Sequence, residues 1–302
     1  MSTKAALALL GVGLIWGTSF LFIRIAVEDV TPMQLVFLRS VPGALTLLAI
    51  TRLQRRSLDL DAGRLRIGLL LAVAGTLVPF FLIAWAEQEI ESGAASVLNA
   101  TLPLFVIVIA TAFLPDERLT TRRAIGIAMG LLGVLILVGS DLRDLASSSL
   151  LAQAAMLASS ALYAVSAVVT RVALRGWHAT SLSTVQISIV AVLTTPLVLA
   201  TGTPSFDFAW DVWLAIACLG VLGTGVAYIA YYWLIENVGT VRASLVAYII
   251  PVVGVTAGAI VLDEHIGWNT LAGGGVILLG VAIVNRAEDF NRWRRRTAAA
   301  KV

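Results

Sequence analysis

Ten stretches of mostly apolar residues, each near the roughly 20 needed to cross a hydrocarbon core about 30 Å thick, dominate this chain. They fall at residues 4–27, 32–52, 66–87, 92–114, 121–140, 149–172, 179–201, 211–235, 240–262 and 266–285. Their apolar character is continuous rather than alternating, which specifies helices and not the strands of a barrel. So little chain remains between them that connections are short and no soluble domain fits. Hydrophobic residues make up 59% of the chain and charged ones 13%, against roughly 25% charged in soluble domains. These proportions exclude a soluble enzyme, a nucleic-acid binder and a disordered chain. The expected class is an all-α polytopic membrane protein with ten transmembrane helices.

Basic residues set the expected orientation. With the first residues in the cytoplasm, Lys4, Arg52, Arg55, Arg56, Arg64, Arg66, Arg118, Arg122, Arg123, Arg171, Arg175 and Arg242 share that side with the tail from Arg286 to Lys301. That is eighteen of the twenty-one cations; Arg24, Arg39 and Arg143 fall elsewhere. The opposite side carries Glu87, Glu89, Glu91, Asp207 and Asp211. Both termini are therefore expected in the cytoplasm, and the first span is read as retained, not as a cleaved leader. The basic stretch around Trp293 is expected to anchor at anionic lipid headgroups. Cys218, the single cysteine, lies in an apolar run, so no internal disulfide, metal site or cofactor is expected.

Sliding the chain on itself exposes a repeat. Gly75-Thr76 matches Gly223-Thr224, Phe80 matches Tyr228, Trp85 matches Trp233, Ala95-Ser96 matches Ala243-Ser244, and Pro103 matches Pro251. One residue out of step, Asp116-Glu117 matches Asp263-Glu264, Gly126 and Gly133 match Gly273 and Gly280, and Ser19 and Arg24 match Ser166 and Arg171. Each half holds five spans, an odd number, so the second half enters from the opposite side. The expected fold is two inverted five-helix repeats around a central cavity, 1–144 and 145–286, followed by a basic cytoplasmic tail, 287–302. Such repeats supply two arrangements of the same parts, one open to each side, with a solute site near mid-membrane.

Further signals are Trp16-Gly17-Thr18-Ser19-Phe20 with Ile23-Arg24, Pro32-Met33-Gln34-Leu35 leading to Arg39, and Asp116-Glu117-Arg118-Leu119-Thr120. In this order, over both halves, the chain resembles the EamA type of the drug/metabolite transporter superfamily. The resemblance implies a ten-helix inner-membrane transporter, often an exporter of amino acids and related metabolites.

Candidate site residues follow from depth and chemistry. Trp16, Ser19, Phe80, Asn99, Tyr163, Ser166, Gln186, Tyr228 and Tyr248 combine apolar bodies or polar tips at cavity-like depth, which suits a neutral or zwitterionic metabolite. Packing between helices explains any one of them equally well. Pro103 and Pro251 each free a carbonyl four residues earlier, at Asn99 and Ala247, and are expected as matched hinges facing the cavity. Arg39 costs about 2.5–3.5 kcal/mol at mid-bilayer on insertion scales. Either it recognises a substrate carboxylate or it bonds helix carbonyls while reaching outward, and the resemblance favours the second. Arg24 is expected to snorkel, and Trp85 and Trp233 to anchor at interfaces.

The other acidic and histidine residues gather at span ends, Glu87, Glu117, Asp263, Glu264, His178 and His265 among them. Without a relay inside a span, facilitated diffusion or coupling through rim groups is expected; Glu117 and Glu264 are expected to cap or pair locally. No intramembrane carboxylate pair, His-Glu-x-x-His or phosphate-binding glycine loop points to an enzyme. The small-xxx-small pairs Gly13/Gly17, Gly126/Gly130 and Gly254/Gly258 are expected to let helices pack closely. The expected function is export of a small metabolite, most readily an amino acid, by a monomer contacting solute and lipid and working by alternating access. Drugs, nucleosides or sugar-related solutes are the alternative cargo, and a non-transporting scaffold or sensor the alternative class.

Overall fold

The computed structural model of the chain describes residues 2–113, 119–139, 147–201, 206–239, 243 and 246–299, with side chains described as far as residue 283. Among the described residues, ten helices run in order: α1 Thr3–Ala26, α2 Pro32–Leu53, α3 Ala62–Ala86, α4 Ser92–Phe113, α5 Thr121–Val138, α6 Ser148–Ala173, α7 Ala179–Thr201, α8 Trp210–Val238, α9 Val246–Val261 and α10 Trp268–Ala299. The first eight are long and apolar enough to span a bilayer; α9 and the Trp268–Ile283 part of α10 are shorter apolar helices. We call the end of the bundle where α1 begins the near face, and the end where α1 stops the far face.

Helix boundaries follow local chemistry more closely than hydropathy. Asp61 accepts the Arg64 N–H and starts α3 at Ala62, ahead of the apolar run. Thr31 and Gln34 cap each other's backbone N–H groups, and Pro32 fills the first turn of α2. Helix α8 stops at Gly239, whose φ of 84° suits a residue without Cβ. Helix α10 does not end at 285 but continues through the basic tail to Ala299.

Packing obeys an exchange of each helix with the one five places later. Helix α1 lies on α9 as α6 lies on α4, α3 on α6 as α8 on α1, and α2 on α8 as α7 on α3. The pairs α2–α7, α4–α9 and α5–α10 map onto themselves and so straddle the pseudo-two-fold axis. This is the expected architecture of two inverted five-helix repeats. Helices α5 and α10 meet backbone to backbone: a Cβ on Gly133 would stand 2.7 Å from the Gly273 carbonyl oxygen, and one on Gly273 2.7 Å from that of Gly133. Likewise Gly13 and Gly17 receive Ile249 and Val253 of α9.

Two departures from regular helix also obey the repeat. Residues Val73–Leu77 of α3 and Cys218–Val226 of α8 wind as π-helix, each around one of the matched Gly-Thr pairs. Such turns leave the i→i+4 ladder and redirect carbonyls, and they concentrate at functional sites. The matched prolines behave differently. At Pro103 helix α4 breaks, with Ala100 and Thr101 donating to Val97 and Leu98 carbonyls at 3.1 Å before the helix resumes at Leu102. Pro251 sits inside the unbroken α9.

Candidate functional site

Between the halves lies a cavity of about 100 Å³, room for several waters or one small solute. Trp16, Ser19, Arg39, Phe80, Asn99, Tyr163, Ser166 and Tyr228 line it. Gln186 and Tyr248 do not: Gln186 is fully buried behind the wall, and Tyr248 is half-buried on α9. Pro103 and Pro251 stay off the surface too, but Asn99 and Ala247, whose carbonyls they release, are on it.

The lining itself is built in pairs from the two repeats. Trp16 lines the cavity together with Tyr163, Ser19 with Ser166, Ile23 with Thr170, Phe80 with Tyr228, Ile83 with Tyr231, Asn99 with Ala247 and Leu102 with Ile250, every pair matched in sequence. Backbone geometry shapes the walls. The indole of Trp16 donates to the Gly223 carbonyl at 3.0 Å, and the Tyr228 hydroxyl to the Gly75 carbonyl at 3.3 Å. Both acceptors belong to π-helical turns. A Cβ on Gly75 would collide with Ser166, and one on Gly223 would press on Ser19, so both glycines let the serine-bearing helices close in. Trp16 meets Tyr231 at 4.9 Å and Tyr228 at 5.9 Å between ring centres, giving one continuous aromatic face.

Arg39 and Gln186 are the most informative matched pair. The Nε of Arg39 donates to Thr224 at 3.2 Å, and the amide of Gln186 donates to Thr76 at 2.8 Å, the same bond made in each half. Gln186 is saturated, since it also donates to the Leu71 carbonyl and accepts from Tyr232. Arg39 is not. It is 4% exposed, its guanidinium carbon lies 3.7 Å over the Phe80 ring centre, and no described carboxylate pairs with it. The sequence favoured a role in which Arg39 bonds helix carbonyls and reaches outward. The side chain instead turns into the cavity, because threonine and a ring face offer partners there. Across the cavity wall, the Asn99 side-chain oxygen is buried without a hydrogen-bond partner among the described residues.

Arg39 and Gly75 line the cavity without their mates Gln186 and Gly223, and toward one end four further residues lack theirs. Tyr232, Ile235, Ala243 and Val246 line the cavity, but their repeat mates Ala84, Glu87, Ala95 and Leu98 do not. These four lie toward the near face, so the cavity extends further that way, and the far end, where Glu87 is fully buried, is shut. There Glu264, beyond α9, accepts from Ser92 N–H at 2.8 Å, Ser92 Oγ at 3.0 Å and Gly93 N–H at 3.0 Å, clasping the first turn of α4. Its mate Glu117 lies outside the described residues. Arg24, expected to snorkel, instead donates to the Glu87 carbonyl. Glu87 was grouped with rim residues from its place at a span end, yet it is fully enclosed.

A membrane-spanning bundle of two inverted repeats, with an aromatic cavity on their axis, defines a polytopic carrier protein. The EamA-like transporter family matches the chain twice, over residues 3–139 and 150–286. The chain belongs to that family and is a multi-pass membrane transporter. It is 23% identical to the uncharacterized transporter YoaV of Bacillus subtilis over 92% of this chain and 95% of that one. It is 30% identical to the uncharacterized inner membrane transporter YedA of Escherichia coli, covering 92% and 89% respectively. A crystal structure superposes with a TM-score of 0.70 at 19% identity, covering 94% of this chain and 98% of that chain, a likeness of fold.

Sequence reading missed Thr76, Thr224 and Tyr231, and set aside Glu87. The two threonines sit in the matched Gly-Thr pairs that revealed the repeat, which was the signal available.

Proposed function

We propose that this transporter carries amino acids by alternating access, binding the carboxylate at Arg39. The observation that carries the reading is a buried guanidinium on the cavity wall with no carboxylate at ion-pair distance among the described residues, Glu87 acting on it only from further away. A buried cation is expensive unless paired, and an arriving carboxylate supplies the pair with charge-assisted hydrogen bonds. The unpartnered Asn99 oxygen is an acceptor suited to a substrate ammonium, and the aromatic face suits an apolar side chain. Orientation follows the cationic residues: the near face is cytoplasmic, with both termini there, in an inner membrane, and the cavity stands open toward the cytoplasm for export. The working unit is a monomer, because the site is complete within one chain, with halves at 1–144 and 145–286.

Calorimetric titration of the purified protein tests the reading. An amino acid should bind roughly tenfold to a hundredfold more tightly than its methyl ester or decarboxylated amine. In Arg39→Gln that preference should vanish. Equal binding of acid and ester by the unaltered protein contradicts it, and tight binding of an uncharged drug or nucleoside favours that cargo instead.

A further inference from the structure

Glu87 breaks the symmetry of the molecule in a way that packing does not explain. Its repeat mate is Ile235, an apolar residue that lines the cavity near its open end. At the equivalent place on the shut end stands a carboxylate, fully buried, with neither oxygen hydrogen-bonded among the described residues. Isoleucine would close this end without cost, whereas a buried unpaired carboxylate is destabilising.

Charged groups surround it from several elements. Arg24 of α1 bonds its backbone carbonyl, Arg39 of α2 lies within electrostatic range, and Glu264 beyond α9 faces it with like charge. Glu91 and His265 lie further out, beside Glu264. Burial first, and Glu264 second, hold the Glu87 carboxyl well above the usual carboxylate range, against the pull of Arg24 and Arg39. Enclosure without a described hydrogen-bond partner favours the neutral acid over the carboxylate.

The inverted repeat supplies the other state. When the far end opens as the near end does now, Glu87 takes the present place of Ile235, on the wall of a wet cavity. We propose that Glu87 is a proton-binding latch: the far end closes only with a proton on this carboxyl and opens as that proton is released. The O–H bond breaks on opening, the proton passes to water at the far face, and it returns from that water before closure. The sign follows from linkage. Acid favours the closed far end, and each pH unit between the open-state and closed-state values shifts the balance toward opening by up to roughly tenfold. Above the raised value the dependence ends.

This rests on alternating access but not on which solute is carried, and the test uses none. In a Cys218→Ser background, Ala95→Cys places a thiol where the far-open state exposes it, because its mate Ala243 lines the cavity now. Proteoliposomes are treated with a membrane-impermeant maleimide on the far face across a pH series, with Glu87 or Glu87→Gln. Dividing one rate by the other cancels the thiol's own ionisation. The proposal expects the ratio to climb as pH rises, with Glu87→Gln labelled slowly throughout and Glu87→Asp restoring the climb. Ala84→Cys, whose mate Tyr232 also lines the cavity, repeats the measurement should Ala95→Cys not fold. A ratio flat with pH overturns the latch while leaving alternating access standing. No labelling of either thiol at any pH overturns both.

Discussion

Arg39 and Gln186 hold the same place in the two repeats and make the same bond, yet one is open to a ligand and the other sealed. Composition and depth singled out both, and the aromatic pair Trp16 and Tyr163 as well, since polar residues inside an apolar span stand out against the background. What the sequence could not show was which way each turns. That depends on partners far away in the chain: Thr224 lies 185 residues from Arg39, and Thr76 lies 110 from Gln186. The difference has a measurable consequence. Gln186→Leu removes a partner from the Thr76 hydroxyl, which keeps Tyr228, and from the Leu71 carbonyl and the Tyr232 hydroxyl, and each buried group left unpaired costs about 1–3 kcal/mol. The variant should melt well below the unaltered protein in detergent. An unchanged melting temperature would show that Gln186 is not the structural member of the pair.

At the scale of helices, hydropathy located all ten elements, and errors arose where capping or glycine chemistry sets an end, as at Asp61 and Gly239. The glycine spacings gave the close crossings but not their partners. Helix α10 illustrates the difference within three residues. Gly273 faces the α5 backbone, while a Cβ on Gly275 would meet nothing within 4 Å. Gly273→Ala should therefore destabilise the protein and Gly275→Ala stabilise it by up to about 1 kcal/mol through helix propensity. Opposite shifts in thermal melts check this, and shifts of the same sign would contradict the crossing. The prolines were read as equivalent from their matched positions, whereas α4 breaks at Pro103 and α9 is continuous through Pro251. Hinge action therefore belongs more to α4. Pro103→Ala should slow transport more than Pro251→Ala, both with little loss of folded yield; equal, unimpaired flux in the two variants removes the hinge.

For the whole molecule, the odd number of helices per repeat was the most productive inference from sequence, since it implied inversion, a central cavity and two exchangeable states before any contact was known. The displacement of the cavity toward one face was not legible, because the two ends share a sequence pattern and differ only in which residues meet. Inversion places Lys4 and Ser147 on opposite sides of the bilayer, and cysteines there should react with impermeant reagent from opposite faces. The most direct test of the account is trans-stimulated exchange in proteoliposomes. A labelled amino acid should enter faster, and saturably, when the same unlabelled amino acid is loaded inside, as a cavity served by alternating access requires. Entry that rises linearly with concentration and ignores the internal solute would contradict it.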